Sequence, residues 1–348
     1  MTWGLEEGFR WFTMGRLFLR KAHIEIGQEV GTQVGTSETV IQPDTLRVAF
    51  SVDKTATSTP NSVKCRIFNL SRKSRAKIEA PGNIITIRAG YHDDLYGTTE
   101  SDTVGDSTNP PQPELLPIVT RADIRTVSHG RSGADFVTMI EASEGGVGYR
   151  NSFVSEKMEP GVTIIQVFKK LAESFENSQV NIPLKPTNRG FGIHPLFDQV
   201  VAGSTSEAKA EHLAKATAVY SSFFVQGLTL HGFTRDILDK LCARHDLGWW
   251  LDSNILTIVS LLGILPGSLI KDWGPHNGLL GVPERLENGA VKFITNMEPG
   301  LELWTAQSLK MNIETQFNGS YKLGRINHSG DTDSQGAWQS TVEGIQIG

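Results

Sequence analysis

A mainly β fold with an α+β middle region is what the sequence predicts, as two β-barrel domains flanking a region of helices and a hairpin. Three observations carry this. Short segments with period-two alternation cluster at both ends of the chain, helical periodicity occurs only between them, and glycine, proline and polar residues punctuate the segments. The chain has 348 residues, enough for two or three domains that each bury a core. With 20% charged and 39% hydrophobic residues it has the composition of a compact protein.

Leu46 to Lys54 alternates strictly, with Leu46, Val48, Phe50 and Val52 on one face and Arg47, Ala49, Ser51 and Asp53 on the other. Val63 to Leu70 reads as a second strand. Ser71 then caps a short basic helical turn from Arg72 to Glu79, which Pro81-Gly82 ends. Further strands are expected at Ile84 to Ala89, Ile118 to Val127 and Asp135 to Ala142, the last two separated by the turn-like HGRSG at His129 to Gly133. Strands joined by turns with one helical turn predict a closed or nearly closed barrel. Thr98 to Pro113, rich in Ser, Thr, Asp and Pro, reads as an exposed loop inserted into it.

The pattern changes after Tyr149. Thr163 and Gln166 have capping-box spacing, and Ile164, Val167, Phe168, Leu171 and Phe175 recur at helical intervals. A second helix is predicted with Thr234 as N-cap, Ile237, Leu238, Leu241 and Cys242 as its apolar stripe, and Leu247-Gly248 at its end. Trp249 to Leu251 and Ile255 to Val259 flank Asp252-Ser253-Asn254 as a hairpin. Gly263 to Gly281 reads as a connector. Four strands follow, at Val291 to Thr295, Leu309 to Ile313, Tyr321 to Asn327 and Trp338 to Ile345. The expected organisation is an extension at 1–15, a first barrel domain at 16–148 carrying the 98–113 insertion, an α/β region at 149–276 and a second barrel domain at 277–348.

A net charge of -5 disfavours stable nucleic-acid binding. Cys65 and Cys242 show no paired spacing, which argues against a disulfide framework. The longest apolar run, Ile255 to Leu265, is too short for the roughly 20 residues that span a bilayer, and the N-terminus lacks the apolar stretch of a signal peptide.

Phosphate loops, dinucleotide fingerprints, zinc-protease helices and nucleophile elbows are absent from the sequence. Cys242 and His245 lie one helical turn apart, but a tetrahedral zinc site needs more ligands, and a core cysteine beside an exposed histidine is preferred. Asp331, Asp333, Gln335 and Gly336 resemble the opening of a calcium loop, yet Val342 stands where its closing acid belongs, so a polar hairpin turn is preferred. Glu6-Glu7, Asp93-Asp94 and Glu141 with Glu144 are carboxylates of the kind glycosidases pair, read here as solvated charges. Of Trp249 and Trp250, one ring is expected in the core and the other facing out or into an interface. No catalytic, cofactor-binding or metal residue is assigned, and no cofactor is expected.

Several segments, in order, resemble the baseplate hub proteins of contractile-tailed bacteriophages. They are MGRLFLRKAHIEIG at Met14 to Gly27, IFNLSRKSRAKIE, ITIRAGYHD at Ile85 to Asp93, GADFVTMIEASEGG at Gly133 to Gly146, EPGVTIIQVFKKLAESF and DILDKLCARHDLGWWLDSNILTI. NGLLGVPERLENGAVKFITNMEPGLELW at Asn277 to Trp304 and YKLGRINHSGDTDSQGAWQSTVEG complete the set. The resemblance implies two tail-tube-like barrels per chain in a homotrimeric ring that adapts a sixfold tail tube to a threefold spike and leaves a channel for DNA. Its implied partners are further copies of itself, the tail tube protein, the spike protein and other baseplate proteins, with DNA only in transit and no stable membrane insertion. The implied place is the virion tail baseplate, after synthesis in the host cytoplasm, and the implied role is not enzymatic. Two other classes stay open: a tail-associated peptidoglycan hydrolase, and the tube-spike adaptor of a phage-tail-like bacteriocin or contractile secretion machine.

Overall fold

The computed structural model describes residues 20–29, 37–41, 46–91, 116–176, 222–252, 255–261, 264–265, 271–333 and 335–347. The expected extension at 1–15, the 98–113 insertion, Glu6-Glu7 and Asp93-Asp94 lie outside the described residues.

The N-terminal segment contains β1 (Arg20–Glu29), β2 (Ser37–Ile41), β3 (Val48–Thr55), β4 (Ser62–Phe68), α1 (Arg72–Ile78), β5 (Ile84–Tyr91), β6 (Ile118–Ser132) and β7 (Asp135–Ser143). The middle region contains α2 (Gly146–Asn151), β8 (Phe153–Met158), β9 (Val162–Thr163), α3 (Ile164–Glu176), β10 (Phe223–Phe224), β11 (Leu228–Phe233), α4 (Thr234–Arg244), β12 (Leu247–Asp252) and β13 (Ile255–Ser260). The C-terminal segment contains β14 (Asp272–Trp273), β15 (Leu279–Arg285), β16 (Val291–Asn296), β17 (Ala306–Leu309), β18 (Gly319–Asp331) and β19 (Trp338–Ile347). The chain is mostly β, with its longer helices in the middle region.

Local signals hold where the chemistry is local. Ser71 Oγ accepts the Ser74 amide at 3.1 Å and so caps α1. In front of α3, Gln166 Oε1 accepts the Thr163 amide at 2.9 Å while Thr163 Oγ1 accepts the Gln166 amide at 3.3 Å, a reciprocal capping box. The α3 stripe of Ile164, Val167, Phe168, Leu171 and Phe175 is fully buried. Thr234 differs from expectation: it is the first residue of α4 rather than its cap, and its hydroxyl lies 2.6 Å from that of Ser174 on α3. HGRSG is likewise not a turn, because β6 runs on through Ser132 opposite β7 and the reversal falls at Gly133, which has a φ of 62°. Part of the expected connector is core, since Leu265 and Trp273 are buried with the C-terminal strands.

The two end segments repeat one strand order. N-terminal strands run β3-β4-β7-β6-β5, and C-terminal strands run β15-β16-β19-β18-β17. Both hairpins carry an irregularity at the same place, between Ile124 and Thr126 in β6 and between Leu323 and Arg325 in β18. Aligned on it, His129 corresponds to His328, and their hydroxyl partners correspond too: His129 Nδ1 to Thr138 Oγ1 at 3.2 Å, His328 Nδ1 to Ser340 Oγ at 2.9 Å. Lys64 opposite Glu141 is matched by Lys292 opposite Glu343.

The two segments are not separate sheets. β18 pairs antiparallel with β3, from Arg325 opposite Thr55 to Asp331 opposite Ala49, and this joins both repeats into one 13-stranded sheet. Among the described residues the sheet ends at β2, at β15 and, on the β17 branch, at β14, and does not close into a barrel. Trp338 and Met297 of the C-terminal segment pack into the N-terminal core with Phe50 and Val52, so the apolar layers also cross the seam.

Gly330 marks how tightly the seam is packed: a Cβ there would lie 2.3 Å from the Phe50 ring. Gly330→Ala should cost about 1–3 kcal/mol by overpacking, lowering the calorimetric midpoint by several degrees. Gly324→Ala, whose added Cβ has nothing nearer than the Glu343 carbonyl at 4.0 Å, should change it far less. Equal effects would show that the seam is loose.

Candidate functional site

The inner face of β3 is apolar until its last inward position, where alternation places Lys54. Nearby, the chain leaves β7 for the middle region through Glu144-Gly145-Gly146. Gly145 has a φ of 58° and a Cβ on it would lie 2.9 Å from Leu251, while a Cβ on Gly146 would lie 2.0 Å from Ser143 Oγ. Only glycines fit so close a passage, and it leaves the Glu144 side chain wholly inside the protein.

These positions build a buried charged junction. Lys54 Nζ donates to Asp252 Oδ1 at 2.8 Å and lies 4.0 Å from Glu144 Oε1. Thr120 Oγ1 donates to Glu144 Oε1 at 2.5 Å and Asn61 Nδ2 to Glu144 Oε2 at 2.7 Å. Asn61 also reaches the Leu251 carbonyl at 3.0 Å and accepts the Thr55 amide at 2.9 Å. His328 is buried on β18, held by Ser340, and its Nε2 has no hydrogen-bond partner among the described residues. The N-terminal strands and the middle hairpin supply the junction's hydrogen bonds and ion pairs, and the C-terminal hairpin places His328 within reach of its charges.

Burial works against the Lys54 ammonium, but the charges of Asp252 and Glu144 outweigh it and its pKa lies above the ordinary lysine value. Burial pushes Glu144 up, opposed by Lys54 and by the hydrogen bonds from Thr120 and Asn61. His328 is pushed down to about 3, by burial first and then by Lys54. Held as its ammonium, Lys54 serves as a charge partner to the two carboxylates rather than as a nucleophile. What these ion pairs and hydrogen bonds do chemically is fasten the N-terminal strands to the middle hairpin.

The residues singled out in the sequence do not converge. Cys242 is buried on α4 with its thiol pushed up to about 12 by burial, and His245 caps the helix C-terminus. Among the described residues no set of His, Cys, Asp and Glu side chains converges as metal ligands. Asp331 accepts two hydrogen bonds from the Arg47 guanidinium, at 3.1 and 2.8 Å, and Asp333 lies 3.1 Å from the same side chain, so this turn is braced by arginine. Glu141 is exposed on the outer face while Glu144 is enclosed, so they do not form a carboxylate pair. Both tryptophans are buried, on opposite faces of β12: Trp249 in the middle core, donating to Asp239 at 2.8 Å, and Trp250 in the C-terminal core, 5.8 Å from the Trp304 ring. The hairpin is thus an internal interface.

Sequence reading passed over Lys54, Asn61, Thr120, Asp252 and His328. The one available signal was parity, which continues the buried face of β3 from Val52 to Lys54.

Removing one partner should be severe: Lys54→Met leaves two carboxylates with no buried cation, at about 3–5 kcal/mol in urea unfolding. The pH dependence has a definite sign. Unfolded histidine titrates near 6.5 and folded His328 near 3, so its contribution is complete above pH 6.5 and is lost as pH falls toward 3. Glu144, raised by burial, acts in the opposite direction. His328→Asn should therefore recover about 2 kcal/mol of the stability lost between pH 7 and pH 5, measured as the difference between variant and wild type. An unchanged pH slope would exclude a neutral buried His328.

The sequence matches no family model and no curated protein. Solved structures do match. The tail protein from Neisseria meningitidis MC58 superposes with a TM-score of 0.52 at 9% identity, over 94% of this chain and 96% of its own. The 43 kDa tail protein of prophage MuSo2 from Shewanella oneidensis gives 0.53 at 7% identity, over 94% and 98%. A chain of the half-lidded Francisella PdpA-VgrG complex gives 0.50 at 8% identity, where the match spans 95% of this chain but 58% of that one. Along nearly its whole length, this chain is similar in fold to the two tail proteins.

Proposed function

We propose that the chain is the structural baseplate hub of a phage tail: a homotrimeric ring that adapts a sixfold tail tube to a threefold central spike and leaves a channel for DNA. The observation that carries this reading is the repeated strand order of the two end segments. A chain that presents one β unit twice lets three copies offer six equivalent units to a sixfold tube, while the once-only middle region keeps threefold symmetry for the spike. The units are barrel-like domains at 16–148 and 277–348, and the region 149–276 lies between them.

The fold shared with the two tail proteins supports a place in the virion tail, with tube, spike and other baseplate proteins as neighbours. A scaffold rather than an enzyme fits a charged cluster whose hydrogen bonds and ion pairs join the N-terminal strands to the middle hairpin. The likeness to a chain of the PdpA-VgrG complex favours, as second reading, the same adaptor role in a contractile machine other than a phage.

Light scattering and electron microscopy of the purified chain, alone and mixed with the tail tube and spike of its own particle, test the reading. The expected product is a trimer seated between tube and spike. A chain that stays monomeric and binds neither would end the proposal.

A further inference from the structure

One contact joins the two repeats within the chain, and its equivalent is left open. In the C-terminal repeat, β18 gives the residues before its irregularity to β17 and those after it, Arg325–Asp331, to β3, the first strand of the other repeat. In the N-terminal repeat, β6 likewise gives its early residues to β5, but from Thr126 to Ser132 only β7 flanks it among the described strands. The counterpart of β3 is β15, and β15 has β16 on one side only. Among the described residues the chain therefore carries an unfilled acceptor edge and an unfilled donor edge of matching kind.

We propose that β15 of one copy pairs antiparallel with Thr126–Ser132 of β6 in a second copy, repeating between chains the joint that β3 and β18 make within one. This rests on the ring reading above and adds its interface. The register follows from the equivalence. His328 faces Val52 in the chain; the counterpart of His328 is His129, and the counterpart of Val52 is Arg285, since Val52 and Arg285 face the matching valines Val63 and Val291. His129 of one copy then faces Arg285 of the next, and Gly130 faces Glu284.

Charge and apolar exposure agree with a second copy as the occupant. The open stretch of β6 carries the exposed Arg131 and follows the exposed Arg125, whereas β15 and its turn present the exposed Glu284 and Glu287. His129 already holds Glu79 at 2.8 Å, which offsets its approach to Arg285. Along β15, Leu280 is 39% and Val282 64% exposed, an apolar edge of the kind that proteins cover. Each copy supplies one β15 and one open β6, a head-to-tail contact that closes a ring when the rotation closes. In a trimer, joints within and between chains alternate around it.

Disulfide trapping tests the register. Opposed residues in an antiparallel pair have Cα atoms about 4.5–5.5 Å apart, within disulfide range. A Cβ at Gly130 meets nothing closer than the end of Met139 at 3.9 Å, Glu284 is exposed, and the native Cys65 and Cys242 are buried. Full-length Gly130→Cys/Glu284→Cys chain, assembled and mildly oxidised, should run as linked dimers and trimers without reductant. Gly130→Cys/Leu280→Cys, out of register, should give less than about a tenth as much. Hydrogen exchange of the wild type gives an answer that needs no variant: amides of 126–132 should slow at least tenfold on assembly. A wild-type trimer without cross-link and without that protection overturns this interface and leaves the ring reading standing. A wild type that never oligomerises, alone or with tube and spike, overturns both.

Discussion

The hydrogen bonds between β3 and β18 close a very long loop in sequence, and most of the architecture hangs on them. They convert two repeats into one sheet and let Trp338 and Met297 pack beside Phe50. They also bring His328 into the same interior as Lys54, beside which Glu144 and Asp252 arrive from the middle region. Loop closure over that distance costs entropy, and the apolar seam and the enclosed ion pairs offset it. Because Lys54 cannot be left without its carboxylates, nor they without it, the N-terminal strands and the middle hairpin are committed to one mutual placement, to which the β3–β18 pairing adds the C-terminal hairpin.

That commitment matters for a protein read as an adaptor. A ring held between a tube and a spike, as proposed, needs rigid subunits, and hydrogen-bonded ion pairs inside the protein resist partial opening better than a slippery apolar contact. The two repeats are alike in topology and in the histidine–hydroxyl pairs of their hairpins, yet unlike in surroundings. His328 is sealed in the seam, whereas His129 stays near the surface and binds Glu79. One repeat has found its neighbour within the chain; the other has an edge left open among the described residues.

How much of this was legible in sequence depended on the range of the chemistry. The alternation of β3, the helical stripe of α3 and its Thr163–Gln166 box were readable because their causes lie within a few residues. HGRSG misled because glycine and serine are tolerated in a strand with a solvated edge, and nothing local distinguishes that from a turn. The Gly263 to Gly281 connector misled for the reverse reason: among turn-forming residues, Trp273 is pinned by the C-terminal core and its indole donates to Gln307 at 3.1 Å. The junction was the least legible, since Lys54, Glu144, Asp252 and His328 look in sequence like ordinary surface residues.

By itself, then, the sequence determined most of the strands and the two longer helices, because periodicity and capping are short-range matters of which face meets water, although the strand expected at Leu309 to Ile313 forms instead at Ala306–Leu309. It also determined that β-rich segments flank a mixed middle region. Only the tertiary structure decided that the two segments share a sheet, that the same strand order occurs twice, and which charges are buried. Those outcomes depend on pairing between residues hundreds of positions apart, and strand pairing leaves no mark in either strand read alone, since any two edges of suitable alternation could pair.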